Sequence, residues 1–212
     1  MSDTFGRDYW ERRYEGHEHG HGAHRGPNPT LVETAGELDP GTALEAGAGR
    51  GEDGVWLARR GWRVTAVDIS EAALDQAART ARELDPEAAA RITWVRADLT
   101  EWAPTEPGFT LVSSHYAHPT GRFERLVERL AAKVVPGGTL LIVGHDTSEA
   151  HTHAAPHDRP AHAHMSAPRV AAVLDPAEWD VLEADSRERV VTLPDGGHKN
   201  MRDAVVRARR HR

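Results

Sequence analysis

The amino-acid sequence predicts an α/β protein: a seven-stranded, mostly parallel sheet with helices on both faces and an antiparallel hairpin at its C-terminal end. Two observations predict the parallel part: strand-like runs alternate with segments of helical periodicity between residues 42 and 144, and these runs are apolar. Parallel strands are apolar throughout because helices cover both faces of the sheet. The third observation is the turn signal Pro194-Asp195-Gly196-Gly197 between two long segments of strand character, which predicts the hairpin.

The individual elements follow from periodicity and from residues that begin or end helices. Ser70 is a favourable N-cap, Gly61 a favourable residue just beyond a helix end, and Asp85-Pro86 interrupts a helix. The Pro136-Gly137-Gly138 segment is predicted to be a turn before the fifth strand. Strands are predicted at 42–46, 62–67, 92–97, 109–113, 139–144, 178–192 and 199–207, and helices at 5–14, 30–37, 52–60, 71–84, 121–133 and 167–174.

Length and composition restrict the class of protein. A chain of 212 residues corresponds to one domain at roughly 150 residues each. We therefore predict a single domain over 1–212, with an N-terminal cap at 1–37 and a His-rich lid loop at 145–165. The net charge of −7 argues against nucleic acid or anionic lipid as a partner. The absence of cysteine excludes disulfides, cysteine-ligated zinc and a thiolate nucleophile.

The sequence also predicts where the protein resides. Residues 1–15 contain no apolar core segment, so a secretory signal is not expected. No apolar run approaches the ~18–20 residues that a membrane span needs. We expect a cytoplasmic protein that is not attached to membranes.

A glycine-rich turn follows the first predicted strand. The turn is Gly47-Ala48-Gly49-Arg50-Gly51, a helix comes next, and the second strand then ends at Asp68. This order is typical of nucleotide-binding units, in which glycines let the backbone approach the ligand and the acid accepts hydrogen bonds from ribose hydroxyls. The ligand is expected beyond the carboxyl ends of the strands.

Acidic residues around the turn indicate which nucleotide it binds. Glu52 and Asp53 open the helix where a pyrophosphate would lie, and Glu45 precedes the turn. Carboxylates stabilise a helix N-terminus but repel phosphate. They argue against a nicotinamide-dependent oxidoreductase, as does the departure from G-x-G-x-x-G. A ligand with a ribose, no phosphate and a cationic part fits better, and S-adenosylmethionine has a ribose, an ammonium and a sulfonium.

Four motifs occur in a familiar order: residues 43–51, Val67-Asp68-Ile69-Ser70, Ala97-Asp98-Leu99 and Pro136-Gly137-Gly138-Thr139-Leu140. With these motifs the sequence resembles the class I S-adenosylmethionine-dependent methyltransferases, which implies a Rossmann-like sheet and methyl transfer. The aromatic segment 9–14 and Gly26-Pro27-Asn28-Pro29 are similar to the N-terminal cap of a small bacterial branch that includes the tellurite-resistance and thiopurine methyltransferases.

The resemblance implies a role for particular residues. Asp68 is expected to hold the ribose, with Ile69 against the adenine and Asp98 accepting from the adenine amino group. Glu45 is expected near the ammonium, and Ser114 on the methyl-transfer face. The predicted cofactor-binding residues are Glu45, Gly47, Gly49, Gly51, Asp68, Ile69, Asp98, Leu99 and Ser114.

The reaction that follows is an in-line displacement on the methyl group, directed at an oxygen, nitrogen or sulfur nucleophile of a small molecule. The protein supplies alignment, and a general base is needed only where the nucleophile carries a proton. His115, Tyr116 and His145 lie at predicted strand ends, and histidine has a suitable unperturbed pKa of about 6.5. His115 is the first candidate for the base. The alternative is that it only packs against the cofactor.

Ten of the fourteen histidines are concentrated in two stretches, 17–24 and 145–164. Imidazole suits divalent transition metals, so such a metal is a second candidate cofactor. The spacing does not match a helical H-x-x-x-H site, and a lid without metal or a solvated loop remain alternatives. An alternative function is a His-rich metal-binding protein on a non-catalytic methyltransferase fold. The candidate metal ligands are His17, His19, His21, His24, His151, His153, His157, His162 and His164.

Overall fold

The structure, a computed structural model, describes residues 6–15, 26–102, 108–119, 121–146, 164–192 and 196–212. The predicted helices and strands occur in the predicted order, together with a short helix, Pro86–Ala89, and a short strand, His164–Met165, that the sequence does not predict. The helices are α1 (Arg7–Glu15), α2 (Pro29–Gly36), α3 (Glu52–Arg59), α4 (Glu71–Leu84), α5 (Pro86–Ala89), α6 (Phe123–Ala131) and α7 (Ala167–Ala171). The strands are β1 (Thr42–Ala46), β2 (Arg63–Asp68), β3 (Ile92–Arg96), β4 (Phe109–His115), β5 (Val134–Asp146), β6 (His164–Met165), β7 (Trp179–Thr192) and β8 (His198–Arg210).

The strands form one mixed sheet in the order β3-β2-β1-β4-β5-β8-β7. The first five are parallel to one another, while β8 is antiparallel to both β5 and β7. The two-residue β6 adds a short parallel pairing to β5. This architecture confirms the predicted fold class. It brings the carboxyl ends of β1, β2, β4 and β5 to one edge of the sheet.

Buried side chains form two clusters that lie on opposite faces of the sheet. Leu44 belongs to one cluster and its neighbour Ala43 to the other, as the alternating side chains of a strand require. Leu126 of α6 covers the first face, and Leu31 of α2 and Val55 of α3 cover the second. The helices therefore bury most of the parallel part of the sheet, although β3 at its edge is only partly buried. The buried strands lack polar alternation for this reason.

Two local predictions differ from the structure. The segment Pro136-Gly137-Gly138 is not a separate turn, because β5 begins at Val134 and runs through it. The register moves from Phe109–Val134 to Leu111–Thr139, so β5 accommodates the extra residues as a bulge. Asp85 ends α4 as predicted, yet its carboxylate also accepts from the Ala88 N–H at 3.0 Å and begins the unpredicted α5.

The predicted role of Ser70 as the N-cap of α4 can be tested by substitution. The buried Ser70 hydroxyl accepts from the Ala73 N–H at 3.2 Å, whereas Ser166, the N-cap of α7, makes no such hydrogen bond. We expect Ser70→Ala to lower the free energy of unfolding by about 1 kcal/mol, measured by urea denaturation. Ser166→Ala is the matched control and should change it by less than about 0.5 kcal/mol. Equal losses from the two variants would contradict the assignment of the cap.

Candidate functional site

The predicted glycine turn connects β1 to α3 at the carboxyl edge of the sheet. The backbone N–H groups of Gly47 and Ala48 donate to the Val67 carbonyl at 2.8 and 2.9 Å, which ties the turn to β2. Gly47, Gly49 and Gly51 all have positive φ, at 85°, 50° and 74°. A Cβ on Gly51 would lie 2.5 Å from the Trp94 ring. This turn therefore needs glycine both for its backbone conformation and for its close packing.

Asp68, at the end of β2, bridges the glycine turn and the start of α4. One carboxylate oxygen accepts from the Gly49 N–H at 2.8 Å and the other from the Ser70 N–H at 2.9 Å. The residue is only 8% exposed. Burial raises the pKa of Asp68 above its ordinary value, although these N–H groups act in the opposite direction. The carboxylate is thus held in one orientation at the position expected for a ribose ligand.

Glu45, near the end of β1, is an almost fully buried acid at 3% exposure. Its Oε2 atom has no hydrogen-bond partner within the described ranges, and a Cβ on Gly54 would approach that atom to 2.5 Å. Burial, followed by the charges of Asp53 and Asp68, raises the pKa of Glu45 well above its ordinary value. An acid in these surroundings gains from a nearby positive charge.

A buried histidine–aspartate pair lies beside the glycine turn. His115 Nδ1 is 2.6 Å from a carboxylate oxygen of Asp53, and the other oxygen accepts from the Asn28 N–H at 2.6 Å. Burial opposes ionisation of Asp53, but His115 and then Asn28 outweigh it and lower the pKa of Asp53. The sequence predicts Asp53 as an acid of the first helical turn that repels phosphate, and not as a partner of His115. Nothing in the local sequence indicates a partner 62 positions away.

Tyr116 follows β4 and is the one non-glycine residue with positive φ, at 52°, in the part of the chain that the structure describes. Its hydroxyl donates to Asp203 at 2.7 Å, and its ring centroid is 4.8 Å from that of His145. Burial, followed by the hydrogen bond to Asp203, raises the pKa of Tyr116. Asp203 also accepts from the Arg189 guanidinium. The hairpin thus contributes a buried acid that sequence analysis missed.

The remaining predicted cofactor residues lie around the same edge. Asp98 accepts from the backbone N–H of Thr100 at 2.8 Å and from its hydroxyl at 2.6 Å. Ile69 and Leu99 are half-buried directly after β2 and Asp98. The Ser114 hydroxyl donates to the Ala46 carbonyl at 2.8 Å and is buried. Ser114 therefore holds β4 against β1, and its hydroxyl proton is already engaged.

Aromatic residues of α1 pack over the turn. The Tyr14 hydroxyl lies 2.9 Å from the position that a Cβ on Gly49 would occupy. Burial, followed by the charge of Asp68, raises the pKa of Tyr14 to about 12. The Trp10 ring centroid is 5.7 Å from that of His118, which lies 6.3 Å from that of His145. The N-terminal aromatic helix and the ends of β4 and β5 thus surround one region.

The structure gives no support to the predicted metal. His17, His19, His21, His24, His151, His153, His157 and His162 lie outside the described residues. The backbone of His164, in β6, is paired with that of His145, in β5. Within the described ranges, no group of three or more His, Asp or Glu side chains is arranged to hold a metal ion.

Among the described residues, no helix is both long and apolar enough to cross a membrane.

The glycine turn and its acids lie in a segment that matches a known family. Residues 43–138 match the family model described as a methyltransferase domain. The resemblance found in the sequence is thereby confirmed. The matched segment contains the turn, Glu45, Asp68, Asp98 and His115.

Relatives and solved structures extend the comparison. The chain is 34% identical over 116 residues to the trans-aconitate 2-methyltransferase of Delftia acidovorans (strain DSM 14801 / SPH-1), covering 52% of this chain and 40% of that protein. It thus spans less than half the length of this curated relative. Among solved structures it resembles the N-methyltransferase NodS from Bradyrhizobium japonicum WM9 with S-adenosyl-L-homocysteine (TM-score 0.69, 16% identity, 99% of both chains). It also resembles TehB from Haemophilus influenzae (TM-score 0.68, 17% identity, 97% of this chain and 67% of TehB).

Proposed function

We propose that this chain transfers a methyl group from S-adenosylmethionine to an oxygen, nitrogen or sulfur nucleophile of a small molecule. The observation that carries the proposal is the glycine turn closed on Asp68 with the buried Glu45 beside it. Asp68 accepts from the backbone N–H groups of Gly49 and Ser70, and the N–H of Ile69 also lowers its pKa. A carboxylate offers about four acceptor positions, so Asp68 retains capacity to accept from the ribose.

The charges around the turn suit the donor. The carboxyl groups of Glu45, Asp53 and Asp68 are close enough for the charges of the latter two to raise the pKa of Glu45. A ligand with an ammonium and a sulfonium relieves this repulsion, whereas a pyrophosphate increases it. S-adenosylmethionine, when bound, supplies a methyl group on sulfur that a nucleophile displaces in line. The residues of the turn hold and orient it.

The acceptor is proposed to bind between α1 and the ends of β4 and β5. Trp10, His118, His145 and Tyr116 form a continuous row of rings there, with successive centroids 5.7, 6.3 and 4.8 Å apart. Such a row excludes water and aligns the acceptor with the methyl group, which is the main contribution of the protein to this chemistry. The curated relative is named for a small acid, trans-aconitate, which supports a small-molecule acceptor.

Calorimetric titration with S-adenosylmethionine and S-adenosylhomocysteine tests the proposal. We expect one molecule bound per chain with a dissociation constant in the micromolar range, corresponding to about −8 kcal/mol at 1 μM. The experiment uses protein treated with a chelator and is repeated with zinc present, and NADH is the control ligand. Binding of NADH but of neither adenosyl compound would contradict the proposed function.

A further inference from the structure

The buried pair of His115 and Asp53 has an arrangement that the function proposed above does not by itself require. The side chains are 6% and 14% exposed, and Nδ1 lies 2.6 Å from the carboxylate. The other carboxylate oxygen is held by the Asn28 N–H at 2.6 Å. Asp53 is therefore fixed on both sides, by a backbone N–H from the N-terminal segment and by the imidazole.

This geometry determines which nitrogen of His115 carries the proton. Asp53 is ionised at neutral pH because its pKa is lowered, and an ionised carboxylate only accepts hydrogen bonds. Nδ1 must therefore be the donor, which in a neutral imidazole leaves the lone pair on Nε2. That Nε2 atom is buried and has no hydrogen-bond partner among the residues that the structure describes. A buried acceptor without a partner costs about 1–3 kcal/mol.

The pair lies beside the glycine turn. Asp53 is two residues beyond Gly51, in the first turn of α3, and His115 is the last residue of β4, the strand next to β1. The chain just after it approaches the turn closely, since the Ala117 Cβ lies 3.3 Å from the position that a Cβ on Gly47 would occupy. The basic nitrogen is thus built into the segment that borders the proposed methyl donor.

We propose that His115 Nε2 is the general base of methyl transfer, that Asp53 is its positioning residue, and that the acceptor is a hydroxyl or amine that carries a proton. This inference rests on the proposed function. Nε2 takes the proton from the acceptor, and the electron pair so freed forms the bond to the methyl carbon. The carbon–sulfur bond breaks with its electron pair going to sulfur. The resulting imidazolium is stabilised by the Asp53 carboxylate.

The protonation state of the imidazole is the first test and needs no acceptor. We would record ¹⁵N–¹H spectra of the imidazole groups in the S-adenosylhomocysteine complex at pH 7.5, with His115→Gln to assign the signals. We expect His115 to carry its proton on Nδ1 with Nε2 unprotonated. Asp53→Asn should abolish this preference, because an amide donates as well as accepts. Asp75→Asn, on the exposed face of α4, is the control and should leave the spectrum unchanged.

Two results of this measurement would overturn the proposal. The first is a proton on Nε2 in the complex. The second is an unchanged His115 signal in Asp53→Asn. Titration of the same samples with S-adenosylhomocysteine reports separately on the proposed function, because loss of that binding in the wild-type protein would contradict cofactor use rather than the assignment of the base.

The chemical class of acceptor is the second test. Transfer of labelled methyl groups would be measured with a set of phenols, primary amines and carboxylates. We expect His115→Gln to slow transfer to phenols and amines by about 10²–10⁴-fold, and Asp53→Asn by at least about tenfold. Any transfer to carboxylates should be nearly unaffected, because a carboxylate carries no proton at neutral pH. Equal losses for all acceptors, transfer to carboxylates alone, or no transfer although S-adenosylhomocysteine binds would each overturn the proposal.

Discussion

Replacing Asp68 by alanine is expected to weaken the binding of S-adenosylmethionine by about 10–100-fold. A hydrogen bond to a charged group contributes about 1.5–3 kcal/mol, and we propose that this carboxylate accepts from the ribose. The substitution also leaves the N–H groups of Gly49 and Ser70 without their acceptor, so we expect unfolding to become easier by about 1–3 kcal/mol. Calorimetric titration and thermal denaturation measure the two effects.

A pair of ligands separates these effects for Asp68→Ala. S-adenosylhomocysteine should lose affinity, whereas an analogue without the 2′- and 3′-hydroxyls should bind the variant and the wild-type protein about equally. Asp75→Ala removes an exposed acid from α4 and is the charge control, with affinity expected to be unchanged. Equal losses for both ligands would show that Asp68 acts through the turn rather than on the ribose.

Replacing Glu45 by glutamine is expected to raise stability at neutral pH while weakening S-adenosylmethionine binding. Burial raises the pKa of Glu45 in the folded chain, so the folded state holds this proton more tightly than the unfolded state. Stability is therefore lost as pH rises from the unfolded pKa of about 4.3 towards the raised folded pKa. A neutral glutamine avoids that loss, and the midpoint of thermal unfolding should rise by about 2–4 °C for each kcal/mol regained.

The measurement is the midpoint of unfolding of wild type and Glu45→Gln between pH 4 and pH 8. The difference should be smallest at the acidic end and grow with pH, with Glu83→Gln, an exposed residue of α4, following the wild type. Affinity for S-adenosylmethionine should fall by about tenfold, since a charged partner of the cation is lost. A variant that is less stable than the wild type throughout this range would contradict the assignment. Higher stability together with lower affinity is expected when the replaced acid serves ligand binding at the expense of stability.

Local sequence determined the parts of this molecule that depend on neighbours along the chain. The prediction for β1 matches its bounds, Thr42–Ala46, and Asp68 ends β2 as predicted. The three glycines of the turn are also specified locally, because only glycine adopts their positive φ values at little cost. The alternation of apolar strands with amphipathic helices predicted the sheet class for the same reason. Each of these features is specified by residues that lie close together in the sequence.

The tertiary structure alone decided which polar side chains meet. Asp53 and His115 are 62 positions apart and Tyr116 and Asp203 are 87 apart. Their pairing depends on β1 lying beside β4 and on β8 returning antiparallel to β5. Sheet order, register and the face to which each side chain points are set by packing of the whole domain. A single sequence therefore predicts an edge where acids and histidines gather, but not their partners.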